Sequence, residues 1–222
     1  MIKIHKLTKT FYPNTARAFV ALDAIDLHIK VNELIILKGV SGSGKSTLLS
    51  LIAALQKPTS GEIIVADEAI AKLPDLHASH FRAAKIGFVP QAFHLFENLT
   101  VLENLSLALI PLGFTPKEIS QKSQKALELA AISHKANEIV NNLSGGEKQR
   151  SAIARALVND AEIILCDEPT ANLDKQNAQK FITILKTLKV LGKTIIIATH
   201  DPIFESLDFC DRSIQMQDGK IR

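Results

Sequence analysis

The sequence predicts an α/β fold: a buried, mainly parallel sheet, an antiparallel β subdomain beside it, and an inserted α-helical subdomain. Three observations carry that prediction. Short apolar runs at Leu34–Leu37, Ile163–Cys166 and Ile195–Ala198 have the length of strands buried on both faces, and each runs directly into polar residues. The beginning, Ile2 to Lys30, alternates irregularly and reads as hairpin material, while Thr59-Ser60-Gly61 turns into Glu62–Val65 as part of the same antiparallel sheet. Finally, 122 residues separate Lys45 from Asp167, far more than one crossover needs, which places a helical insertion between Gln91 and Leu143.

Taken in order, the central strands lie near Leu34, Phe88, Ile164 and Ile196. Inside the insertion, Thr115, Pro116 and Glu118 spell an N-cap, a first-turn proline and a capping box. Ile119, Ala126, Leu127 and Ala130 follow at helical spacing. Ala178, Phe181, Ile182, Leu185 and Leu188 mark another amphipathic helix, expected to cover the sheet. With no repeat, low-complexity tract or linker, residues 1–222 read as one unit. The β subdomain and the core take residues 1–91 and 156–222, and the helical subdomain takes about 92–155.

Composition sets limits on function. Hydrophobic content of 46% with 22% charged residues is that of a globular protein. A net charge of +3, from 26 basic and 23 acidic residues without a Lys/Arg run, argues against a nucleic-acid partner. Cys166 and Cys210 are not spaced as metal ligands, and two free thiols fit a reducing cytoplasm. Met1–Thr10 has no apolar signal core, and no segment approaches the ~18–20 apolar residues that span a bilayer. A transport role would require membrane helices from separate chains.

Four motifs carry the chemistry. Gly39-Val40-Ser41-Gly42-Ser43-Gly44-Lys45-Ser46-Thr47 follows a strand and precedes the helical stretch Leu48–Leu55, the context that identifies a phosphate-binding loop. Its glycines let backbone N–H groups face phosphates, Lys45 supplies a point charge, and the Ser46 hydroxyl is a Mg²⁺ ligand. Asp167 and Glu168 end an apolar strand. Because neighbours on an extended strand point in opposite directions, the two take different roles, Asp167 toward Mg²⁺ and Glu168 toward the attacking water. His200 and Gln91 each follow a strand, and Gln91 can reach a metal or its water through its side-chain carbonyl. The other histidines (His5, His28, His77, His80, His94, His134) read as structural or solvated. Leu143-Ser144-Gly145-Gly146-Glu147-Lys148-Gln149-Arg150 offers a second helix start of the kind that attracts phosphate.

In this order, these motifs together with Asn172-Leu173-Asp174 resemble the nucleotide-binding domain of ABC ATPases over essentially the whole chain, from Lys9 to Gly219. The resemblance implies a P-loop NTPase (RecA-like) core that binds ATP and Mg²⁺, and a homodimer formed head to tail on ATP. Each ATP would lie between one subunit's phosphate loop and the other's Ser144, Gly145 and Gly146. It further implies Glu168 as catalytic carboxylate, His200 as switch, Ala171–Asp174 as the loop joining the two sites, and Phe11 as the aromatic on adenine, with Tyr12 the alternative one residue on. It places the docking groove for a membrane permease subunit near Phe93, Leu95, Phe96 and Leu99, and the protein on the cytoplasmic face of the cell membrane. Residues 167–174, 86–91 and 96–104 look like the branch serving lipoprotein release, macrolide export and cell division, although Ala171 and Pro90 stand where that branch usually has Gly and often Phe. Two other functions compete. A cytosolic ABC ATPase, such as one for iron–sulfur cluster assembly, would need no membrane partner. A small-molecule phosphotransferase would leave Leu143–Arg150 unexplained.

Overall fold

The computed structural model describes every residue of the chain except Asn172 and Ser206. Along the chain run β1 (Ile2–Phe11), β2 (Phe19–Ile29), β3 (Leu34–Lys38), α1 (Lys45–Ile52), β4 (Ser60–Val65), β5 (Glu68–Ala69), α2 (Asp75–Lys85) and β6 (Ile86–Val89). Then follow α3 (Val101–Leu109), α4 (Pro116–Leu129), α5 (Gly145–Leu157), β7 (Ile163–Asp167), α6 (Lys175–Val190), β8 (Thr194–Thr199), β9 (Arg212–Gln217) and β10 (Lys220–Ile221). Two sheets form, in the orders β2-β1-β4-β5 and β10-β9-β3-β8-β7-β6. The first is antiparallel; in the second, only the β9–β10 pair is antiparallel and the rest are parallel.

Alternation along the parallel strands divides the core into two layers. Leu34, Ile36, Ile164, Cys166, Ile195 and Ile197 pack with residues of α3, α4, α5 and α6. Ile35, Leu37, Ile163, Leu165, Ile196 and Ala198 pack with α1 and the antiparallel sheet. A strand whose successive side chains all meet apolar partners has no use for polar residues, which explains the unbroken apolar runs. The irregular beginning has a different cause. Positive φ at Lys6 and Ala24 accompanies register shifts between β1 and β2, so the pattern slips with each irregularity.

Helix starts follow from local chemistry. Thr100, Thr115 and Ser144 each cap a helix in a complete capping box with Glu103, Glu118 and Glu147. The helix expected after Thr115 is α4, and the one expected after the acids is α6. One helix, α2, lies where the sequence signal was weak, because its buried face rests on Ala78 and Phe81 alone. α5 continues to Leu157, so a boundary at residue 155 falls inside a helix.

α5 lies close on β6. A Cβ on Gly87 would come within 2.1 Å of the Ala156 carbonyl oxygen and 2.8 Å of Ile164 Cδ1. Gly87→Ala should therefore push α5 off the sheet and destabilise the fold by about 1–3 kcal/mol, the usual range for overpacking. Urea unfolding measures this; an unchanged midpoint would show that the helix can shift freely.

Candidate nucleotide site

Parallel pairing places the ends of β3, β8, β7 and β6 along one edge of the sheet, where open α/β sheets bind their ligands. β8 separates β3 from β7, so the residues after β8 emerge between the phosphate loop and the acids. Here an open cleft of about 220 Å³ is lined by Ser41 to Thr47, Gln91, Glu168, His200, Phe19 and Ala21.

The loop is shaped for an anion. Gly44 is the N-cap of α1 with φ +100, and the helix start has no side-chain cap, which leaves first-turn N–H groups facing the cleft. A Cβ at Gly44 would meet the Ala21 carbonyl oxygen at 2.7 Å, so glycine is required both for the turn and for the contact. Lys45 is buried and donates to the carbonyl oxygens of Gly39 (2.7 Å) and Val40 (3.2 Å). The Ser43 hydroxyl is buried and, among the described residues, has no hydrogen-bond partner. A buried hydroxyl so placed costs free energy until a ligand oxygen meets it.

The two acids diverge, though for a reason other than strand alternation. Asp167 ends β7, but Glu168 has φ +45, a left-handed conformation rare for a side-chain-bearing residue. Its N–H bonds the Ala198 carbonyl at 2.8 Å and holds it there. Asp167 Oδ1 accepts from the Ser46 hydroxyl at 2.9 Å. Glu168 Oε1 meets His200 Nδ1 at 2.8 Å and lies 3.8 Å from Lys45 Nζ, while Oε2 accepts from the Thr199 hydroxyl at 3.1 Å. Burial raises the pKa of Asp167 above the usual carboxylate value, and the Glu168 charge adds to this against Ser46 and Lys45. Burial also raises that of Cys166, which lies inside the sheet as a small apolar residue.

Behind Glu168 runs a chain of hydroxyls and carboxylates absent from the sequence-based candidates. The Asp201 N–H bonds the Thr199 hydroxyl at 3.0 Å, and Asp201 Oδ2 accepts from Thr170 at 2.6 Å. Nothing in the sequence distinguishes Thr199 or Thr170 from other threonines; only the register of β7 and β8 brings them together. Phe19 was missed for the same reason. Phe11 ends β1 opposite Phe19, with Lys9 Nζ 5.1 Å from its ring, but of the two only Phe19 lines the cleft. Tyr12 is 68% exposed and Val40 72% exposed.

The second glycine element stands apart. Ser144 and Gly145 are exposed at the start of α5, and none of Ser144, Gly145 and Gly146 lines the phosphate-loop cleft. The Ser144 hydroxyl donates to Glu147 Oε2 at 2.7 Å, and those hydrogen bonds lower the Glu147 pKa. In the Ala171–Asp174 segment, Asn172 lies outside the described residues, while Asp174 caps α6 by accepting from the Asn177 N–H at 2.8 Å. The six other histidines are exposed, with His5 paired to Asp26. Of the four apolar residues after Gln91, Phe96 is exposed at 58%, and Phe93, Leu95 and Leu99 are half-buried.

Could the site hold a nucleotide's metal? Among the described residues, no group of three or more His, Cys, Asp or Glu could hold an ion. The Ser46 hydroxyl and the Asp167 carboxylate are hard oxygen donors already in contact, with Gln91 across the cleft. Few protein ligands, completed by phosphate oxygens, is the donor set that Mg²⁺ favours. The residues fit.

Comparison with known proteins shows the family. The family model described as "ABC transporter" matches residues 22–171. An ABC transporter ATP-binding protein of Methanocaldococcus jannaschii, MJ0796, is 40% identical over 226 residues, covering 100% of this chain and 95% of that protein. A solved structure of that cassette, a dimeric post-hydrolysis state bound to ADP and Pi, superimposes with a TM-score of 0.92 at 39% identity, covering 100% of this chain and 97% of that one. The macrolide export ATP-binding/permease protein MacB of Vibrio parahaemolyticus is 34% identical over 221 residues; all of this chain is covered, but it spans only 33% of that protein's length. The chain thus belongs to the ABC transporter family, as an ATP-binding and ATP-hydrolysing cassette.

Proposed function

We propose that this cassette powers a membrane complex of the export or lipoprotein-release type by closing head to tail with a second copy around two ATP molecules. The observation that carries this reading is the separation of Ser144-Gly145-Gly146 from the chain's own phosphate loop. An exposed helix start suited to phosphate, yet outside the local cleft, is suited to a nucleotide held by another copy. The dimer seen for the M. jannaschii cassette supports it. Among the described residues no helix is long and apolar enough to cross a membrane. Permease subunits from separate chains would supply that part, with the cassette on the cytoplasmic face; MacB, an ATP-binding/permease protein, pairs the same two functions.

The geometry supports the following roles. Gly39, Val40, Ser41, Gly42, Ser43, Gly44, Lys45, Ser46 and Thr47 wrap the phosphates, and Phe11, with Phe19 across the β pair, offers aromatic surface to the base. Ser46, Asp167 and Gln91 would hold Mg²⁺, which when bound neutralises charge on the phosphate oxygens beside two carboxylates. Glu168, held between Thr199 and His200, orients and deprotonates water for in-line attack on the γ-phosphorus as the bond to ADP breaks. His200 Nδ1–H donates to Glu168, which fixes the carboxylate and leaves the rest of the ring, largely exposed, to meet the γ-phosphate. Residues 1–91 and 156–222 act as core and β subdomain, and about 92–155 as the helical lobe bearing the signature element.

Two outcomes test this reading and a third tests the burial of Asp167. Glu168→Gln should retain ATP binding, lower kcat by about 100-fold or more, and accumulate as a dimer with Mg-ATP in size-exclusion chromatography; near-wild-type turnover would remove Glu168 from catalysis. Ser144→Arg should bind a fluorescent ATP analogue as the wild type does yet neither dimerise nor hydrolyse, and full activity would sink the head-to-tail arrangement. Asp167→Asn concerns stability. With its folded-state pKa raised, Asp167 contributes stability below its ordinary pKa, and that contribution is lost as pH rises through the raised value. The variant should therefore melt higher than wild type at pH 8, with the gap closing on acidification and hydrolysis lost throughout. A lower Tm at pH 8 would contradict the burial argument.

A further inference from the structure

α5 touches more of the site than its N-terminus. Near its middle, buried Gln149 donates to the Pro169 carbonyl at 2.8 Å, immediately after Glu168. One turn and a half later, Arg155 Nη2 donates to the Phe93 carbonyl at 2.8 Å, and Nη1 donates to the His94 carbonyl. These carbonyls lie two and three residues beyond Gln91, in a stretch with neither helix nor strand. The same stretch is tied at Phe96, whose N–H bonds Asn104 Oδ1 at 2.8 Å. Arg155 makes no ion pair among the described residues, and burial lowers its pKa. Its half-buried guanidinium turns a planar fork onto two adjacent backbone carbonyls, a geometry that fixes a loop more firmly than a single point charge does.

We propose that Arg155 is a positioning residue for Gln91, tying the placement of Gln91 in the cleft to the helix that carries Ser144 at its start. The helix rises about 16 Å between Ser144 and Arg155, and it is one unbroken element. A force on the exposed signature end therefore reaches the Gln91 loop without crossing a joint. Gln149 ties the same helix to the segment following Glu168, so contact with a second copy is read at both sides of the catalytic cleft. The inference rests on the proposed role of Gln91 in hydrolysis.

The test is a double-mutant cycle of Arg155→Lys and Gln91→Ala, scored by kcat, by affinity for a fluorescent ATP analogue and by Tm. Lysine keeps the charge but cannot span both carbonyls. Arg155→Lys should lower kcat by about tenfold or more, since small misplacements in a site are costly, with affinity changed less than about twofold and Tm nearly unchanged. The double variant should be no slower than Gln91→Ala alone, because a residue acting through Gln91 has no effect once Gln91 is gone. Wild-type kcat in Arg155→Lys, or multiplicative losses in the double variant, would overturn the proposal. So would unfolding of both Arg155→Lys and Arg155→Gln, which would make the residue a packing element. Gln91→Ala turning over at the wild-type rate would instead refute the catalytic role of Gln91, a separate failure from a normal Arg155→Lys beside a slow Gln91→Ala.

Discussion

A strand buried on both faces can carry no charge along its length, so β3, β7 and β8 deliver their charged and catalytic residues where they end. All three end on the same edge because they are parallel, and β8 lies between the other two. That constraint sets Lys45, Asp167, Glu168 and His200 within reach of one another although more than 150 residues separate the first from the last. The cleft is a product of strand order before it is a product of any single side chain.

The edge concentrates opposing charges that the rest of the core excludes. Lys45 is held by carbonyls of its own loop and faces Glu168, and Asp167 pays for its burial with a raised pKa. Glu168 adopts a left-handed conformation that costs about 1–3 kcal/mol in general, offset locally by its bond to Ala198 and by the Thr199 and His200 contacts. Such an arrangement gives up stability to keep reactive groups apart and oriented.

The strands, the phosphate loop and the start of α4 were legible because their signals are local: continuous apolar runs, glycines at fixed spacing, and Thr115 three residues before Glu118. Even the divergence of Asp167 and Glu168 was legible, although its cause is a φ of +45 that no pattern announces. What escaped depends on register between distant segments. Phe19 faces the cleft because of how β2 pairs with an irregular β1, and Thr199 supports Glu168 because β8 sits beside β7. Arg155 carries no signal in the sequence, since its partners are carbonyls, which have no side-chain identity to read.

The pairing of β3 with β8 also has a consequence in time. Leu34 finds Ile195 across about 160 residues of intervening chain. On a ribosome adding about 5–20 residues per second, β3 waits roughly 8–32 s for that neighbour. The helices of the insertion face no such delay, because each begins with a capping box closed by a residue three positions on. A nascent chain can thus begin its signature helix before its phosphate loop is locked against the sheet. Until β8 arrives, the β3 face carrying Ile35 and Leu37 can already be covered by the antiparallel sheet and α1, whereas the face carrying Leu34 and Ile36 waits for the helical lobe.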